Sequence, residues 1–151
     1  MKAAFAAAAL LLAAACSDAS GLAGPAGDIR VRTDASLYGL PGSGSEAIVR
    51  FTVRNTGSGP ITLLSCSGGV DTEVQRREAD GWVPWSTNGA CPASLDPPPV
   101  VVLAPGESAA GRVFVGRDGR YRLRTYVRVA ESAQFSESAF SGEFEVRSFD
   151  L

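Results

Sequence analysis

Three cysteines, 16 carboxylates and no histidine are present in this chain of 151 residues, and those counts bound its chemistry. A serine or cysteine nucleophile needs a neighbouring base, most often an imidazole. Without histidine the substitutes are carboxylates and the single lysine, Lys2, at the amino terminus. The strand-to-helix nucleophile pattern Gly-x-Ser-x-Gly does not occur. Gly42-Ser43-Gly44-Ser45 neither follows a strand pattern nor opens a helix, so it reads as a flexible turn and not as a phosphate cradle. Paired carboxylates can cleave glycosidic bonds. The densest set, Asp71, Glu73, Glu78 and Asp80, sits beside Arg76 and Arg77 on a polar stretch and reads as a solvated face. Asp71, Glu73 and Asp96 lack the spacing of a calcium loop. Two thiolates without histidine make an incomplete zinc set. No catalytic, cofactor-binding or metal-binding residue is expected, and no cofactor. The net charge of −2 excludes a chain-wide basic footprint for nucleic acid.

The odd cysteine is explained at the amino terminus. Lys2 is followed by 13 apolar residues, Ala3 to Ala15. A spanning helix needs about 20, so this run is the core of a signal peptide. Leu12-Ala13-Ala14-Ala15-Cys16 resembles a bacterial lipobox, in which small residues precede a cysteine that is lipidated and becomes the new first residue. The usual leucine three positions before the cysteine is Ala13 here, with Leu10, Leu11 and Leu12 just upstream. The resemblance implies a signal peptide over 1–15, a lipid on Cys16 and an envelope protein anchored in a membrane. Ser17 follows the cysteine, which in some bacterial lipoproteins implies transfer onward from the inner membrane, to the outer membrane or periplasmic face. The alternative is ordinary cleavage after Ala15, leaving Cys16 as a free thiol. Each buried lipid CH₂ contributes about 0.8 kcal/mol, so several acyl chains hold a small domain firmly. Residues 16–28 are small, polar and glycine-rich, and read as a tether. A dozen such residues span roughly 20 Å root-mean-square.

Cys66 and Cys91 remain, with 24 residues between them. Export favours their oxidation. Such a loop corresponds to about 3 kcal/mol in the chain-entropy model. The bridge would tie the end of a short strand over 61–65 to the irregular segment 86–99.

Positioning falls to strands, because the hydrophobic period is 2 almost throughout. Ile29 and Val31 alternate with Arg30 and Arg32; Ala47, Val49, Phe51 and Val53 alternate with Ile48, Arg50, Thr52 and Arg54. Further runs cover 61–65, 70–76, 82–85, 100–103, 112–115, 121–129 and 142–147. Asp80-Gly81 and Asp118-Gly119 are hairpin and turn signals. Residues 130–139 read as a loop or one turn of helix. Seven to eight short strands in about 120 residues predict an all-β, antiparallel two-sheet sandwich over 29–148.

Four motifs carry a resemblance. Phe51-Thr52-Val53-Arg54-Asn55-Thr56-Gly57, Leu103-Ala104-Pro105-Gly106-Glu107-Ser108, Gly119-Arg120-Tyr121-Arg122-Leu123-Arg124 and Ser141-Gly142-Glu143-Phe144-Glu145-Val146 follow one another in the order and spacing of bacterial immunoglobulin-like domains. The resemblance implies an immunoglobulin-like sandwich outside the cytoplasm with no enzymatic activity. Tyr121, just after a turn and opening a strand, has the place of a tyrosine corner.

Two surfaces could bind. Arg122, Arg124, Tyr126 and Arg128 share one strand face, a composition enriched at interfaces. Their partner would be an acidic protein, an anionic polysaccharide or lipid headgroups. The competing expectation is a solvated face neutralised by Glu143 and Glu145 on the neighbouring strand. Trp82 and Trp85, three apart, should point to opposite faces, with one in the core. The segment holding Trp85, Ser86, Asn88 and Pro92 is a candidate binding loop, stiffened by the disulfide and by Pro97-Pro98-Pro99. Trp82 to Ser86 and the following Leu-x-Pro-Gly turn also resemble small bacterial sandwich inhibitors of proteases, which would insert loops into a protease cleft. The leading expectation is a lipid-anchored, non-catalytic envelope protein that binds or supports an envelope partner; the inhibitor is the alternative.

Overall fold

Alternation decides which side of each strand is buried. Strand β3 (Ala47–Asn55) is buried at every odd position and exposed at every even one. A β-strand turns successive side chains to opposite faces, so this pattern lays one face on a core and the other in solvent. The computed structural model describes residues 28–42, 44–66, 69–88, 97–129, 134–135 and 137–149. The expected signal peptide, the tether up to residue 27, the lipidation site Cys16, and Cys91 and Pro92 lie outside them.

β3 pairs antiparallel with β1 (Ile29–Thr33) on one side and β8 (Ser108–Val115) on the other, forming a three-stranded sheet. The second sheet is built around β9 (Gly119–Val129). Along one edge of β9 lie β10 (Glu137–Phe140) and then β11 (Phe144–Ser148). Along the other lie β4 (Ile61–Leu64) and then β5 (Thr72–Glu78). β6 (Gly81–Asn88) extends the sheet beyond β5, β7 (Val100–Leu103) beyond β4, and β2 (Leu37–Leu40) beyond β11. Val49, Val53 and Val113 from the small sheet meet Leu63, Val74, Leu123, Val127 and Phe144 from the large one, all essentially solvent-free. This is an all-β, two-sheet immunoglobulin-like sandwich, and it corresponds to the expected class.

The strand inventory differs from the expectation of seven or eight. The described residues hold eleven segments, with β2 and β10 added to the runs read from the sequence. One pair, β2 with β11, is parallel. β2 is four residues long and contains Gly39, too short to display a period. Residues 137–139, the end of the stretch 130–139 read as loop or helical turn, pair with β9 together with Phe140 as β10.

Two side-chain hydrogen-bond systems lock the sandwich. The Tyr121 hydroxyl donates to the Arg117 carbonyl at 2.8 Å while its ring stacks on Phe144 in the core. This is a tyrosine corner, and burial raises the phenol's pKa above the ordinary value. Asn55 is fully buried at the end of β3. Its Nδ2 donates to the carbonyls of Gly59 at 2.8 Å and Leu103 at 3.0 Å, and its Oδ1 accepts from the Gly57 N–H at 3.0 Å. The backbone of Asn55 also bonds Glu107 and Gly106. The turn after β3 and the turn before β8 are therefore one unit, held by a single asparagine.

Candidate binding face

β9 divides its eleven residues cleanly. Tyr121, Leu123, Thr125 and Val127 are buried in the core, which leaves Arg122, Arg124, Tyr126 and Arg128 on the outer face. The register places Gln75 opposite Arg122 and Glu73 opposite Arg124 on β5. On the other edge Phe140 lies opposite Arg124, and Ser138 opposite Tyr126. Cross-strand neighbours on one face touch, and here they form a continuous layer.

The layer has a polar floor and an aromatic frame. Arg122 Nε donates to Gln75 Oε1 at 2.8 Å, and Gln75 Nε2 donates to Glu73 Oε1 at 2.6 Å. The Tyr126 hydroxyl donates to Glu73 Oε2 at 3.0 Å. Arg124 lies 4.0 Å from Glu73 and donates through Nε to Ser138 Oγ at 3.0 Å. Glu73 and Gln75 are buried beneath these groups. Above them the Arg122 guanidinium sits 4.6 Å from the centre of the Trp82 ring and 4.3 Å from that of Phe140. Arg77 lies over Trp82 at 5.4 Å, Arg124 over Tyr126 at 4.7 Å, and Arg128 over Phe135 at 5.2 Å. Each such contact contributes about 0.5–1 kcal/mol at an exposed site. Their larger effect is to fix long side chains that would otherwise rotate.

Burial sets the electrostatics. Desolvation lowers the pKa of Arg122, and the like charge of Arg124 adds to the effect. Desolvation raises the pKa of Tyr126, and its hydrogen bond to Glu73 adds to that. Two cations packed this closely are stabilised by one carboxylate below and several ring faces around them.

Three expectations need correction. Glu145 does not pair with the stripe, although the charge of Glu143 favours the charged form of Arg122. Glu145 instead binds Arg147 at 2.8 Å, which holds its carboxyl below the usual range. The reason is topological: β11 meets β9 only at Gly119–Tyr121, so β10 and β5 flank the stripe. Nor are the hairpin acids a uniformly solvated face. Glu73 is buried, Asp71 accepts the Cys66 N–H at 2.8 Å, and Glu78 pairs with Arg76 at 3.2 Å. Finally, Trp85, Ser86 and Asn88 are strand residues of β6 and not loop residues.

The tryptophans do take different surroundings, though neither is in the core. Trp82 belongs to the arginine layer. Trp85 stands unopposed at a register irregularity, between Pro84 opposite Gln75 and Ser86 opposite Val74. Its ring meets Tyr121 edge-on at 6.3 Å, under Arg76 at 5.1 Å and Arg117 at 5.8 Å. It shields the tyrosine corner and remains 37% exposed.

Sequence reasoning missed Glu73, Gln75, Trp82 and Phe140 as members of this face. The signal was the i, i+2 spacing of Glu73 and Gln75, legible only once β5 is known to lie beside β9. Among the described residues no three His, Cys, Asp or Glu side chains converge on a point where a metal could bind.

No family model matches the chain, and no curated protein matches it. Similar solved structures include the alkylpurine DNA glycosylase AlkC of Pseudomonas fluorescens, 15% identical with a TM-score of 0.41. The match covers 80% of this chain but only 30% of the glycosylase. The ASH/PapD-like domain 7 of human CEP192 is 11% identical, with 99% of both chains covered and a TM-score of 0.42. A β-glucosidase from Listeria innocua is 14% identical over 82% of this chain and 16% of its own, with a TM-score of 0.35. At such scores these likenesses carry no functional weight.

Proposed function

We propose that this chain is a lipid-anchored, non-catalytic binding module of a bacterial cell envelope, similar to bacterial immunoglobulin-like domains, which presents the outer face of its larger sheet to an envelope partner. One observation carries the binding role: Arg122 clamped between Trp82 and Phe140 on an open sheet face, with Phe140 44% exposed. Arginine and aromatic side chains dominate interface hot spots because they offer large contact area and multiple donors. Here their rotamers are already fixed by the Gln75–Glu73 floor, so little entropy remains to be lost on binding. The lipobox-like sequence ending at Cys16 supports the anchor. The export it implies favours a disulfide between Cys66 and Cys91. The expected partner is an acidic protein or an anionic polysaccharide.

The test is a photoreactive residue substituted at Phe140 in the chain expressed in its native envelope. A discrete adduct is expected, weakened at about 0.5 M salt, where exposed charges are screened within a few ångströms. Arg124→Ser in the same background is expected to remove it. No adduct, or one that Arg124→Ser leaves unchanged, would take this face out of the reading.

A further inference from the structure

The three strands of the smaller sheet carry five arginines and no carboxylate: Arg30 and Arg32 in β1, Arg50 and Arg54 in β3, and Arg112 in β8. All five are exposed, and the alternation puts them on the outer face, away from the core. The register sets Arg30 directly opposite Arg54, and Arg50 directly opposite Arg112. Like charges in that position destabilise a sheet. Among the described residues no carboxylate comes within ion-pair distance of Arg30, Arg32, Arg50 or Arg54. The carboxylates that lie within strands, Glu73, Glu78, Glu137 and Glu145, all belong to the other sheet, while Asp28, Asp34, Glu46 and Glu107 flank the small sheet at its strand ends. On the same face, beyond Arg50 and Arg112, Ile48 and Phe114 stand opposite each other, 43% and 37% exposed.

We propose that this arginine face rests on the phosphate headgroups of an anionic phospholipid surface. The guanidinium fork matches phosphate oxygens and stays charged at every physiological pH. Arg30 and Arg54, held opposite each other without an ion pair among the described residues, are relieved by an anion that bridges them. The apolar pair selects a bilayer over a soluble polyanion. Ile48 and Phe114 gain by entering the boundary between headgroups and acyl chains while the arginines remain level with the phosphates. The course of the chain adds a third argument, which rests on the anchoring reading above. β1 begins at Ile29, and about 12 flexible residues between it and a lipid on Cys16 would span roughly 20 Å root-mean-square. The module then lies with its small sheet on the membrane and its Trp82–Arg122–Phe140 layer directed away from it.

The test uses the chain from residue 16 onward with Cys16→Ser, which has no lipid and keeps every described strand. Its sedimentation with phosphatidylcholine vesicles is compared with that on vesicles also containing phosphatidylglycerol. Binding is expected only with the anionic lipid, and salt should reverse it. Arg30→Ser with Arg50→Ser is expected to weaken it about 25-fold, at about fivefold per arginine. Arg120→Ser with Arg147→Ser removes the same charge from the other sheet and is expected to change it less than about threefold. Equal binding to both vesicles, no binding, or equal loss in both double variants would overturn the proposal. So would binding to dextran sulfate without binding to anionic vesicles, which would reassign the face to a soluble polyanion. Vesicle binding by this chain, together with a wild-type chain that proves unlipidated in cells, would overturn the anchor and leave the face standing.

Discussion

Asn55→Ala is expected to lower the unfolding free energy by about 3 kcal/mol, read as a shift of the denaturation midpoint at constant slope. Alanine removes the donor that reaches the Gly59 and Leu103 carbonyls and the acceptor for the Gly57 N–H. The site is fully buried, so water does not readily replace what is lost. The loss spreads further, because the backbone bonds from Asn55 to Glu107 and Gly106 depend on the same approach of two turns. Gly106 has a φ of +83°, a left-handed conformation that glycine adopts freely, and the Glu107 carboxylate closes this turn by accepting the Ala104 N–H at 2.8 Å. Asn55→Asp should be nearly as damaging, since a carboxylate cannot donate to either carbonyl. An unchanged midpoint in Asn55→Ala would show that the two turns hold without the side chain.

Gly111→Val is expected to cost a comparable amount, about 2–3 kcal/mol. Gly111 lies opposite Phe51 on β3. A Cβ there would approach the Phe51 ring to 2.3 Å at Cζ and 2.7 Å at Cε1. The ring itself is buried in the core, so it cannot swing outward without opening a cavity. Gly111→Ala should already destabilise, and Gly111→Val should do so more because a branched side chain cannot avoid the ring. Phe51→Leu combined with Gly111→Ala is expected to recover part of the loss, which double-mutant stability measurements would resolve. Additive losses would mean that the two positions do not share this space.

These two sites show what the sequence made legible. The alternation of Ala47, Val49, Phe51 and Val53 names its buried face without a structure, because a two-residue period leaves no second interpretation. Tyr121 was legible as a tyrosine corner from its place after Asp118-Gly119. The asparagine and the Leu103–Ser108 turn appeared as two separate motifs 48 residues apart, and nothing in the chain states that they bond to each other. β10 was not legible, because Glu137-Ser138-Ala139-Phe140 has no apolar period and becomes a strand only by completing an edge of β9. The same limit applies to the candidate binding surfaces. Arg122, Arg124, Tyr126 and Arg128 share a face by simple spacing. The burial of Glu73 beneath them depends on which strand lies alongside. The arginines of β1 and β3 were visible as alternating residues. Their convergence with Arg112 on one sheet whose strands hold no carboxylate follows only from strand order.

The proposed lipid anchor stands or falls on the state of Cys16. The direct measurement is the intact mass and location of the chain recovered from bacteria that export it, beside its Cys16→Ala variant. The account predicts a wild-type chain that begins at Cys16, carries the added mass of acyl chains and leaves the membrane pellet only with detergent. The variant should lack that mass and come off the membrane with salt. A wild-type chain found in the soluble fraction with a free thiol at Cys16 would contradict the account.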